Sequence, residues 1–300
     1  MTIPYHFLTP QHWKDYELID SGNFEKLERF GEFILCRPEP QAIWDKTLPE
    51  KEWMSLWSAK YEREKGKNQI VMTSEKGHWI KKPKMKDRWV MHYKSPHLDL
   101  NFNLSLTSFG HIGVFPEQAV NWEFIFENVN TINKPKVLNL FAYTGASTLA
   151  ACAAGAEVVH VDSVKQVVNW ANENKQLSHL QGIIRWVVED ALKFVKREVK
   201  RGNRYNGIIL DPPAYGRGPE GEKWLLDQHL NELIKCCSDL IRSDKYFFLL
   251  NVYSIGFSAL TIDTLISEYF SNINREIGEL VLTSKSNQNL PLGTYVRFRS

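Results

Sequence analysis

The feature that most constrains the fold is a repeated alternation of strand-like and helix-like segments after about residue 115. The strand-like runs are KVLNLFAY, EVVHVD, IIRWVVED and YNGIILDPP, and the segments that begin near Ser147, Val164 and Ala191 have the apolar spacing of helices. Strands that alternate with helices in this way are typical of a parallel sheet, because each parallel pair needs a crossover connection. The sequence therefore predicts an α/β fold over residues 116–300.

Residues 1–115 have a different pattern. Short apolar or aromatic runs, among them GEFILCRP, QIVMTS, HWIKKP and RWVMHY, are separated by Gly, Pro, Asn and Lys. Such runs are typical of strands and turns. We therefore expect a smaller β-rich domain over residues 1–115, with substrate binding as its hypothetical role, ahead of the larger α/β domain.

The helix after EVVHVD has the clearest predicted start. Ser163 can cap it, Gln166 can complete a capping box, and Val164, Val167, Val168 and Ala171 have the spacing of one apolar face. Asp162 would then lie at the carboxyl end of a buried strand. Open α/β sheets bind their ligands at that edge.

The loop after the first of these strands is a candidate cofactor site. A dinucleotide fold needs Gly-x-Gly-x-x-Gly so that backbone amides can receive a pyrophosphate, and this loop contains only Gly145. S-adenosylmethionine has no phosphate, and Asp162 follows at close to the roughly 20-residue spacing of a ribose-binding acid. The alternative is that Gly145 only turns the chain and Asp162 only caps a helix.

Two further acids favour a ligand site. Asp190 follows the third strand and Asp211 follows the fourth, so three carboxylates are expected at one edge of the sheet. Carboxylates accept hydrogen bonds from hydroxyl and amine groups, which a nucleoside cofactor supplies. After Asp211 come Pro212 and Pro213, which lack amide hydrogens and stop the strand, and then the aromatic Tyr215.

Composition limits the partners and the compartment. The net charge of +2 does not by itself indicate a nucleic-acid-binding protein, but basic residues cluster from Lys81 to Lys94 with Trp79, Trp89 and Tyr93 between them. This stretch is either a phosphate-binding and stacking surface or a solvated hairpin with buried aromatics. The four cysteines lack zinc-site spacing, so no metal is expected. Without a signal peptide or long apolar run, we expect a soluble, cytoplasmic protein.

These residues together resemble a family. The run from VLNLFAYTGAST to NWANEN, the acid Asp190, the DPPAY segment and the upstream FGHIGVFPEQ are similar to class I S-adenosylmethionine-dependent methyltransferases related to the bacterial 23S ribosomal RNA cytosine and guanine methyltransferases. The resemblance covers roughly residues 100–260. It implies a Rossmann-like sheet, S-adenosylmethionine as cofactor, and ribosomal RNA as the partner.

The resemblance also implies site residues. Those expected to bind the cofactor are His111, Gly113, Phe115, Gln118, Phe141, Tyr143, Gly145, Asp162, Ser163, Asp190, Ala191 and Asp211. Those expected at the reacting groups are Asp211, Pro212, Pro213 and Tyr215, with Tyr215 as a stacking surface for an extruded base. The glycine-rich segment GRGPEGEK after Tyr215 is expected to be a mobile lid that brings Arg217 near a phosphate.

The chain departs from the family pattern in two respects. Relatives that methylate carbon-5 of cytosine use a cysteine thiolate, whereas DPPAY has none and the next strand has Asn251, Tyr253 and Ser254 instead. Many relatives also carry an additional amino-terminal RNA-binding domain. We therefore expect methyl transfer to a ribosomal RNA base without a cysteine nucleophile, with a protein or small-molecule acceptor, or a non-catalytic cofactor- or RNA-binding role, as alternatives. The oligomeric state is left open.

Overall fold

A computed structural model describes residues 4–11, 13–64, 77–242, 244–253 and 256–300. Two compact units are present. The large unit comprises the described parts of Met1–Leu8, Gln118–Leu280 and Leu292–Ser300, and the small unit those of Thr9–Glu117 and Val281–Pro291. The small unit ends and the large unit resumes at Gln118, close to the boundary expected after residue 115. Outside that division, residues 4–8 belong to the large unit and residues 281–291 to the small unit. The QIVMTS run lies outside the described residues.

The strands and helices are numbered here in chain order. They are β1 Tyr5–Leu8, β2 Tyr16–Gly22, β3 Glu25–Phe30, β4 Phe33–Pro38, α1 Glu50–Leu56, β5 Ala59–Arg63, β6 Gly77–Lys81, β7 Arg88–Lys94, β8 Asp99–Ser105, α2 Ala119–Val129, β9 Lys136–Leu140, α3 Ala146–Ala153, β10 Glu157–Asp162, α4 Lys165–Leu177, β11 Ile184–Val188, α5 Ala191–Lys200, β12 Gly207–Leu210, β13 Tyr215–Arg217, β14 Lys223–Leu225, α6 Leu226–Leu240, β15 Phe247–Val252, α7 Ala259–Tyr269, β16 Arg275–Thr283 and β17 Asn289–Arg299. A short 3-10 turn, Pro116–Gln118, precedes α2.

The large unit is built on an eight-stranded sheet in the order β1-β16-β17-β15-β12-β9-β10-β11. The pairs β15–β12, β12–β9, β9–β10 and β10–β11 are parallel, and β17 runs antiparallel to β15. The order doubles back at β9, because β10 lies on one side of it and β12 on the other. The chain therefore leaves β9 toward one side of the sheet and leaves the neighbouring strand β12 toward the other. The loops after β9 and β12 separate at a common edge, where open α/β sheets bind ligands. The predicted α/β fold is confirmed.

Apolar side chains from the sheet and from helices α5, α6 and α7 form the core of the large unit. Its fully buried members include Leu138, Phe194, Ile208, Leu233 and Phe248. Strands β12 and β15 are buried at every position, as a central strand covered on both faces requires. This burial gives the loops at the strand ends a rigid support. Among the described residues, no helix is both long and apolar enough to cross a bilayer.

The small unit contains a five-stranded sheet, β2-β3-β4-β5-β6, and a separate β7–β8 hairpin. The expected β-rich character is therefore confirmed. Its interior holds a charged cluster, in which Arg37 donates to Glu28 Oε2 from Nε at 2.9 Å and from the terminal nitrogen at 2.6 Å, while Tyr16 donates to Glu28 Oε1. These contacts hold the pKa of the fully buried Glu28 below its usual value against the opposing effect of desolvation.

The basic stretch from Lys81 to Lys94 has the second of its two predicted interpretations. In β7 the side chains of Trp89 and Tyr93 are buried at 6% and 4% exposure, so they cannot stack on a base as they stand. Several of its lysines are already paired, Lys81 with Asp87, Lys86 with Glu32 and Lys94 with Asp99. Strand alternation thus turns Trp89 and Tyr93 away from solvent, as the hairpin interpretation predicts. Phosphate binding by the lysines of this stretch stays a prediction.

Candidate functional site

The loop after β9 has an unusual backbone. Phe141, Tyr143 and Gly145 alternate along it, and all three have left-handed φ values of 54°, 49° and 89°. Such a conformation is costly for residues with a Cβ atom, by on the order of 1 to 3 kcal/mol each, and persists only where neighbouring structure holds it. At Gly145 an added Cβ would also lie 2.9 Å from the Cβ of Ala171. The sequence Phe-x-Tyr-x-Gly is thus matched to a tight, strained turn. We call residues 141–145 the cofactor loop, after the role predicted for them from the sequence.

Strand β10 and helix α4 hold the cofactor loop. The carboxylate of Asp162 accepts a hydrogen bond from the Tyr143 amide at 2.9 Å, and Asn174 Nδ2 donates to the Thr144 carbonyl at 3.0 Å. The Ala142 amide also donates to the Val161 carbonyl. Asp162 is therefore part of the support of this loop as well as a strand-end acid.

Asp162 also replaces the predicted helix cap. Its Oδ1 accepts from the Val164 amide at 3.0 Å, and α4 begins at Lys165 with Val164 in the capping position and no side-chain cap. The predicted capping box of Ser163 and Gln166 is wrong, because the nearby carboxylate binds the amide instead. Desolvation raises the pKa of Asp162 although backbone donors favour its charged form.

Asp190 follows β11 and caps α5. Its Oδ1 accepts from the Lys193 amide at 2.8 Å, which places the carboxylate at the positive end of the helix dipole. Ala191 is the first residue of the helix and is buried. Asp190 thus combines a structural cap with a carboxylate at the same edge of the sheet as Asp162.

Asp211 follows β12 and lies in a chain of side-chain amides. Asn251 Nδ2, at the end of β15, donates to Asp211 Oδ1 at 2.8 Å, and Gln118 Nε2 lies 3.4 Å from Oδ2. Asn121 Nδ2 donates to Gln118 Oε1 at 2.8 Å, so that the Gln118 amide is oriented with its nitrogen toward the acid. Desolvation raises the pKa of the partly buried Asp211 to about 6, while the Asn251 hydrogen bond opposes this rise.

Asn251 is held tightly in place. It is buried at 3% exposure, and its Oδ1 has no hydrogen-bond partner within the described part of the chain. Gly293 of β17 packs against it, since a Cβ there would lie 3.0 Å from that oxygen. Among the described residues, the Asn251 amide therefore interacts through its nitrogen, with Asp211, while the burial of its oxygen is not compensated by a hydrogen bond.

Beyond Asp211 the chain turns through a buried Pro212 and an exposed Pro213 into the β13–β14 hairpin. Tyr215 is 46% exposed, and Arg217 Nε donates to its hydroxyl at 2.9 Å. A flat aromatic face is therefore accessible beside a cation. We call residues 211–215 the target loop, after the role predicted for them from the sequence.

The predicted site residues of the large unit are brought to adjacent strand ends. The cofactor loop follows β9, Asp162 ends β10, Asp190 follows β11, and the target loop follows β12. Gln118 contacts Asp211 from the start of α2. The other predicted residues, His111, Gly113 and Phe115, lie in the small unit, where the His111 and Phe115 rings meet edge to face at 5.4 Å. Their cofactor role stays a prediction.

Sequence reasoning missed three residues of this edge. Asn121 and Asn251 were not identified as partners of Gln118 and Asp211, because the hydrogen bonds join segments far apart in the chain. Trp224 packs its ring 4.8 Å from that of Phe141 and donates from Nε1 to the Pro213 carbonyl at 2.7 Å. Its signal was a lone tryptophan in an otherwise polar segment two residues before a helix.

The four cysteines are poorly suited to act as thiolate nucleophiles. Cys36, Cys152 and Cys237 are buried, and Cys237 is fully enclosed in the α6 core as predicted. Burial raises the pKa of every one of the four thiols, that of Cys36 to about 12. Within the described residues, no group of three or more His, Cys, Asp or Glu side chains is arranged to hold a metal ion.

Comparisons with known proteins agree with this geometry. A family model described as S-adenosylmethionine-dependent methyltransferase matches residues 12–269. The crystal structure of an S-adenosylmethionine-dependent methyltransferase from Agrobacterium tumefaciens is 35% identical, with a TM-score of 0.87 over 99% of this chain and 95% of that one.

Curated relatives match part of the chain. Ribosomal RNA large subunit methyltransferase K/L of Pseudoalteromonas atlantica is 35% identical over 115 residues, 38% of this chain and 16% of the relative. Ribosomal RNA large subunit methyltransferase I of Escherichia coli O139:H28 is 30% identical over 131 residues, 38% of this chain and 33% of the relative. The chain thus spans a third or less of the length of these relatives.

The family match extends over most of the chain, and the solved relative extends over nearly all of it. The sheet order, the strained loop after β9 and the acids at successive strand ends agree with the same assignment, as does the fold class inferred from the sequence. S-adenosylmethionine is accordingly the cofactor of the group. The chain belongs to the S-adenosylmethionine-dependent methyltransferase family.

Proposed function

We propose that this protein transfers a methyl group from S-adenosylmethionine to a nitrogen or oxygen atom of a ribosomal RNA base. The observation that carries the proposal is the target loop, in which an oriented carboxylate, Asp211, stands on a rigid proline turn next to the exposed ring of Tyr215. The names of the curated relatives, which are ribosomal RNA large subunit methyltransferases, support RNA as the acceptor. With such an acceptor we propose the cytoplasm as the compartment.

The donor set of the large unit fits the cofactor. S-adenosylmethionine presents ribose hydroxyls, an adenine amine and a methionine ammonium, all of which donate hydrogen bonds, and the edge of the sheet presents carboxylates. Asp162 would hold the ribose hydroxyls, Asp190 the adenine amine and the cofactor loop the methionine part. The single glycine of the loop is sufficient because no phosphate has to be received.

Further residues complete the proposed cofactor site. Ser163 and Ala191 follow the two acids directly, and Gln118 reaches the same edge through Asp211. We assign His111, Gly113 and Phe115 to the cofactor on the family resemblance of their segment. Phe141 and Tyr143 supply aromatic surface within the cofactor loop.

At the target loop, Tyr215 would stack on a base extruded from the RNA, since every base has a π face and an enzyme must remove a base from its stack to act on it. Arg217, which already contacts the Tyr215 hydroxyl, would lie near a phosphate of the extruded nucleotide. Above about pH 6 the ionised Asp211 can accept a hydrogen bond from an amine of the base or of the methionine part.

No thiol nucleophile is needed for this reaction. The cofactor supplies a methyl group on a sulfonium, which is already a good leaving group, so the protein contributes chiefly by aligning donor and acceptor. Pro212 and Pro213 restrict the backbone beside Asp211 and thereby limit the positions that a bound base can take. The raised thiol pKa values of all four cysteines disfavour thiolate attack at neutral pH.

The test is transfer of labelled methyl from S-adenosylmethionine to RNA, protein and metabolite fractions prepared from a strain that lacks this protein. We expect label in the large-subunit ribosomal RNA and in a single modified nucleoside after digestion. The matched control is RNA from the complemented strain, in which the site is already methylated and should accept little label. Label confined to the protein or metabolite fraction, or absent from all three, would refute the proposal.

A further inference from the structure

The β13–β14 hairpin is joined to both sides of the proposed site. Through Trp224, which is buried at 2% exposure, it contacts the cofactor loop and the target loop at once: the ring packs on Phe141, and Nε1 donates to the Pro213 carbonyl. The His229 ring of α6 also stacks on the indole, with a centroid distance of 5.7 Å and an interplanar angle of 29°. The tryptophan is thus confined between three elements.

The hairpin has a second attachment at α5. Lys193 Nζ pairs with Glu220 and Glu222 near the tip of the hairpin, while the amide of the same residue donates to Asp190 Oδ1. Asp190 is the acid assigned to the adenine amine. One residue therefore connects the adenine side of the proposed cofactor site with the hairpin that continues the target loop.

The hairpin stem is itself bonded to the target loop. Tyr215 pairs with Leu225 and Gly216 with Trp224 in the antiparallel ladder, and the Leu226 amide donates to the Ala214 carbonyl at 3.1 Å. A displacement of Trp224 must consequently displace residues 213–216. The cofactor loop and the target loop cannot change their separation while the indole keeps both contacts.

We propose that Trp224 is a positioning residue that sets the distance between the methyl donor and the target base, so that cofactor binding orders the hairpin and the target loop together. This inference rests on the proposed function, because it assigns the two loops to donor and acceptor. Trp224 touches neither reactant and acts through Phe141 and Pro213. Lys193 adds a polar tie to the same hairpin.

The first test compares two buried tryptophans. Trp224→Phe keeps an aromatic ring beside Phe141 but removes the donor to the Pro213 carbonyl. Trp89→Phe in the small unit is the matched control, since the buried Trp89 indole also donates to a backbone carbonyl, that of Phe30 at 3.1 Å. Both changes should lower the melting temperature. Only Trp224→Phe should lower kcat per folded molecule, by roughly tenfold or more, with the Kd for S-adenosylmethionine within about twofold of the wild-type value.

The second test uses hydrogen exchange with S-adenosylhomocysteine and does not depend on activity. We expect the ligand to slow amide exchange in residues 141–145 and in residues 215–226 of the wild-type protein. In Trp224→Phe only residues 141–145 should remain protected. Equal protection of the hairpin in both proteins, or an unchanged kcat in the variant, would overturn the inference and leave the proposed function intact.

A surface pair keeps the inference testable if Trp224→Phe does not fold. Lys193→Gln removes the ion pairs with Glu220 and Glu222. Lys196, also on α5, forms a comparably exposed ion pair with Glu232 of α6, which Lys196→Gln removes. Ligand-induced protection of residues 215–226 should fall in Lys193→Gln and stay at the wild-type level in Lys196→Gln. Identical protection in the two variants would contradict coupling through the hairpin. Failure of the wild-type protein to bind S-adenosylhomocysteine would refute the proposed function itself.

Discussion

Asn251 Nδ2 donates a 2.8 Å hydrogen bond to Asp211 Oδ1, and this bond joins the ends of two neighbouring strands, β15 and β12. The bond stabilises the charged form of a carboxyl group whose burial raises its pKa to about 6. Asn251 lies in the segment where a cytosine carbon-5 methyltransferase would be expected to supply its cysteine. In this chain the same segment presents an asparagine that donates a hydrogen bond to a carboxylate.

Replacing Asn251 should change the pH dependence of activity. In Asn251→Ala the carboxylate of Asp211 loses its best donor, so its pKa should rise further. The acid limb of kcat/KM, expected near pH 6 in the wild-type protein, should move upward by about one pH unit, the equivalent of one hydrogen bond to a charged group. Initial rates of methyl transfer from pH 5 to 9 measure this shift.

The matched control for this experiment is Asn128→Ala. Asn128 is another buried asparagine of the large unit, and its Nδ2 donates to the Phe124 carbonyl rather than to an acid. This change should reduce stability and leave the acid limb where it is. An unshifted limb in Asn251→Ala would show that Asp211 does not control the rate.

Asp211→Asn should alter the pH dependence of stability. The folded pKa of about 6 lies above the unfolded value, so the carboxyl group contributes stability that is fully present below about pH 4 and is lost as the pH rises through 6. Relative to the wild type, the variant should therefore gain free energy of unfolding between pH 4 and pH 8, on the order of 1 to 3 kcal/mol.

Urea denaturation at both pH values measures this difference. Asp239→Asn, which changes an exposed acid on α6 and leaves Asp211 in place, should keep the wild-type pH dependence of stability. Methyl transfer by Asp211→Asn should fall at every pH, because a neutral amide accepts less strongly than a carboxylate. If Asp211→Asn kept the wild-type pH dependence of stability, Asp211 would have to be well solvated in the folded protein.

Asp162→Ala should weaken cofactor binding for two reasons. It removes the acceptor proposed for the ribose hydroxyls and the support of the strained Tyr143 amide. We expect the free energy of S-adenosylmethionine binding, measured by calorimetry, to become less favourable by about 1 to 3 kcal/mol. Glu157→Gln, at the opposite end of the same strand, is the control and should bind normally. Unchanged affinity in Asp162→Ala would remove this residue from the site.

Tyr215 should act through its ring. Tyr215→Ala should lower kcat/KM for RNA by roughly 10- to 100-fold, since stacking on one base is worth about 1 to 3 kcal/mol. Tyr215→Phe retains the ring and loses only the contact with Arg217, so it should recover most of the activity. The exposed side chain predicts little change in melting temperature for either variant. Equal losses in the two variants would implicate the hydroxyl group instead of stacking.

The sequence predicted the sheet and its strand-end acids because both follow from local patterns. Uninterrupted apolar runs identify central strands, and the residue after each run must emerge at the ligand edge. The left-handed turn at Gly145 was signalled by glycine alone. The same conformation at Phe141 and Tyr143 had no local signal, because the loop is maintained by hydrogen bonds with remote residues, in which Asp162 accepts and Asn174 donates.

The errors share a cause. Serine and aspartate are both favoured helix caps, so residue preferences could not decide between Ser163 and Asp162. In the structure Asp162 accepts the hydrogen bond from the Val164 amide. The lysines from Lys81 to Lys94 are clustered like those of a phosphate-binding surface, but some of them pair with acids remote in sequence, such as Glu32. Trp224 could not be assigned for the same reason, since its contacts with Phe141 and the Pro213 carbonyl are tertiary. Local composition indicates which groups are available, and the fold decides what each of them binds.

A protein without cysteine should retain methyl transfer. All four thiols have raised pKa values caused first by burial, and Cys237 lies in the core of α6 with no exposed surface. In the target loop the chain has prolines and Tyr215, and at the end of β15 it has Asn251 and Tyr253, while Ser254 lies outside the described residues. Carbon-5 of cytosine needs a thiolate to activate the ring, whereas nitrogen or oxygen needs only alignment with the methyl donor.

The experiment changes Cys36, Cys152, Cys236 and Cys237 together to Ala. The free energy of unfolding should fall by about 1 kcal/mol or more, because buried small side chains are removed from packed sites. Activity per folded molecule should stay within about twofold of wild type, and RNA containing 5-fluorocytosine should form no covalent adduct with either protein. The intact wild-type chain is the control for folding and for adduct formation. A trapped protein–RNA adduct in the wild type, or complete loss of activity in a folded cysteine-free protein, would establish a thiol mechanism and reverse the assignment of the methylated atom.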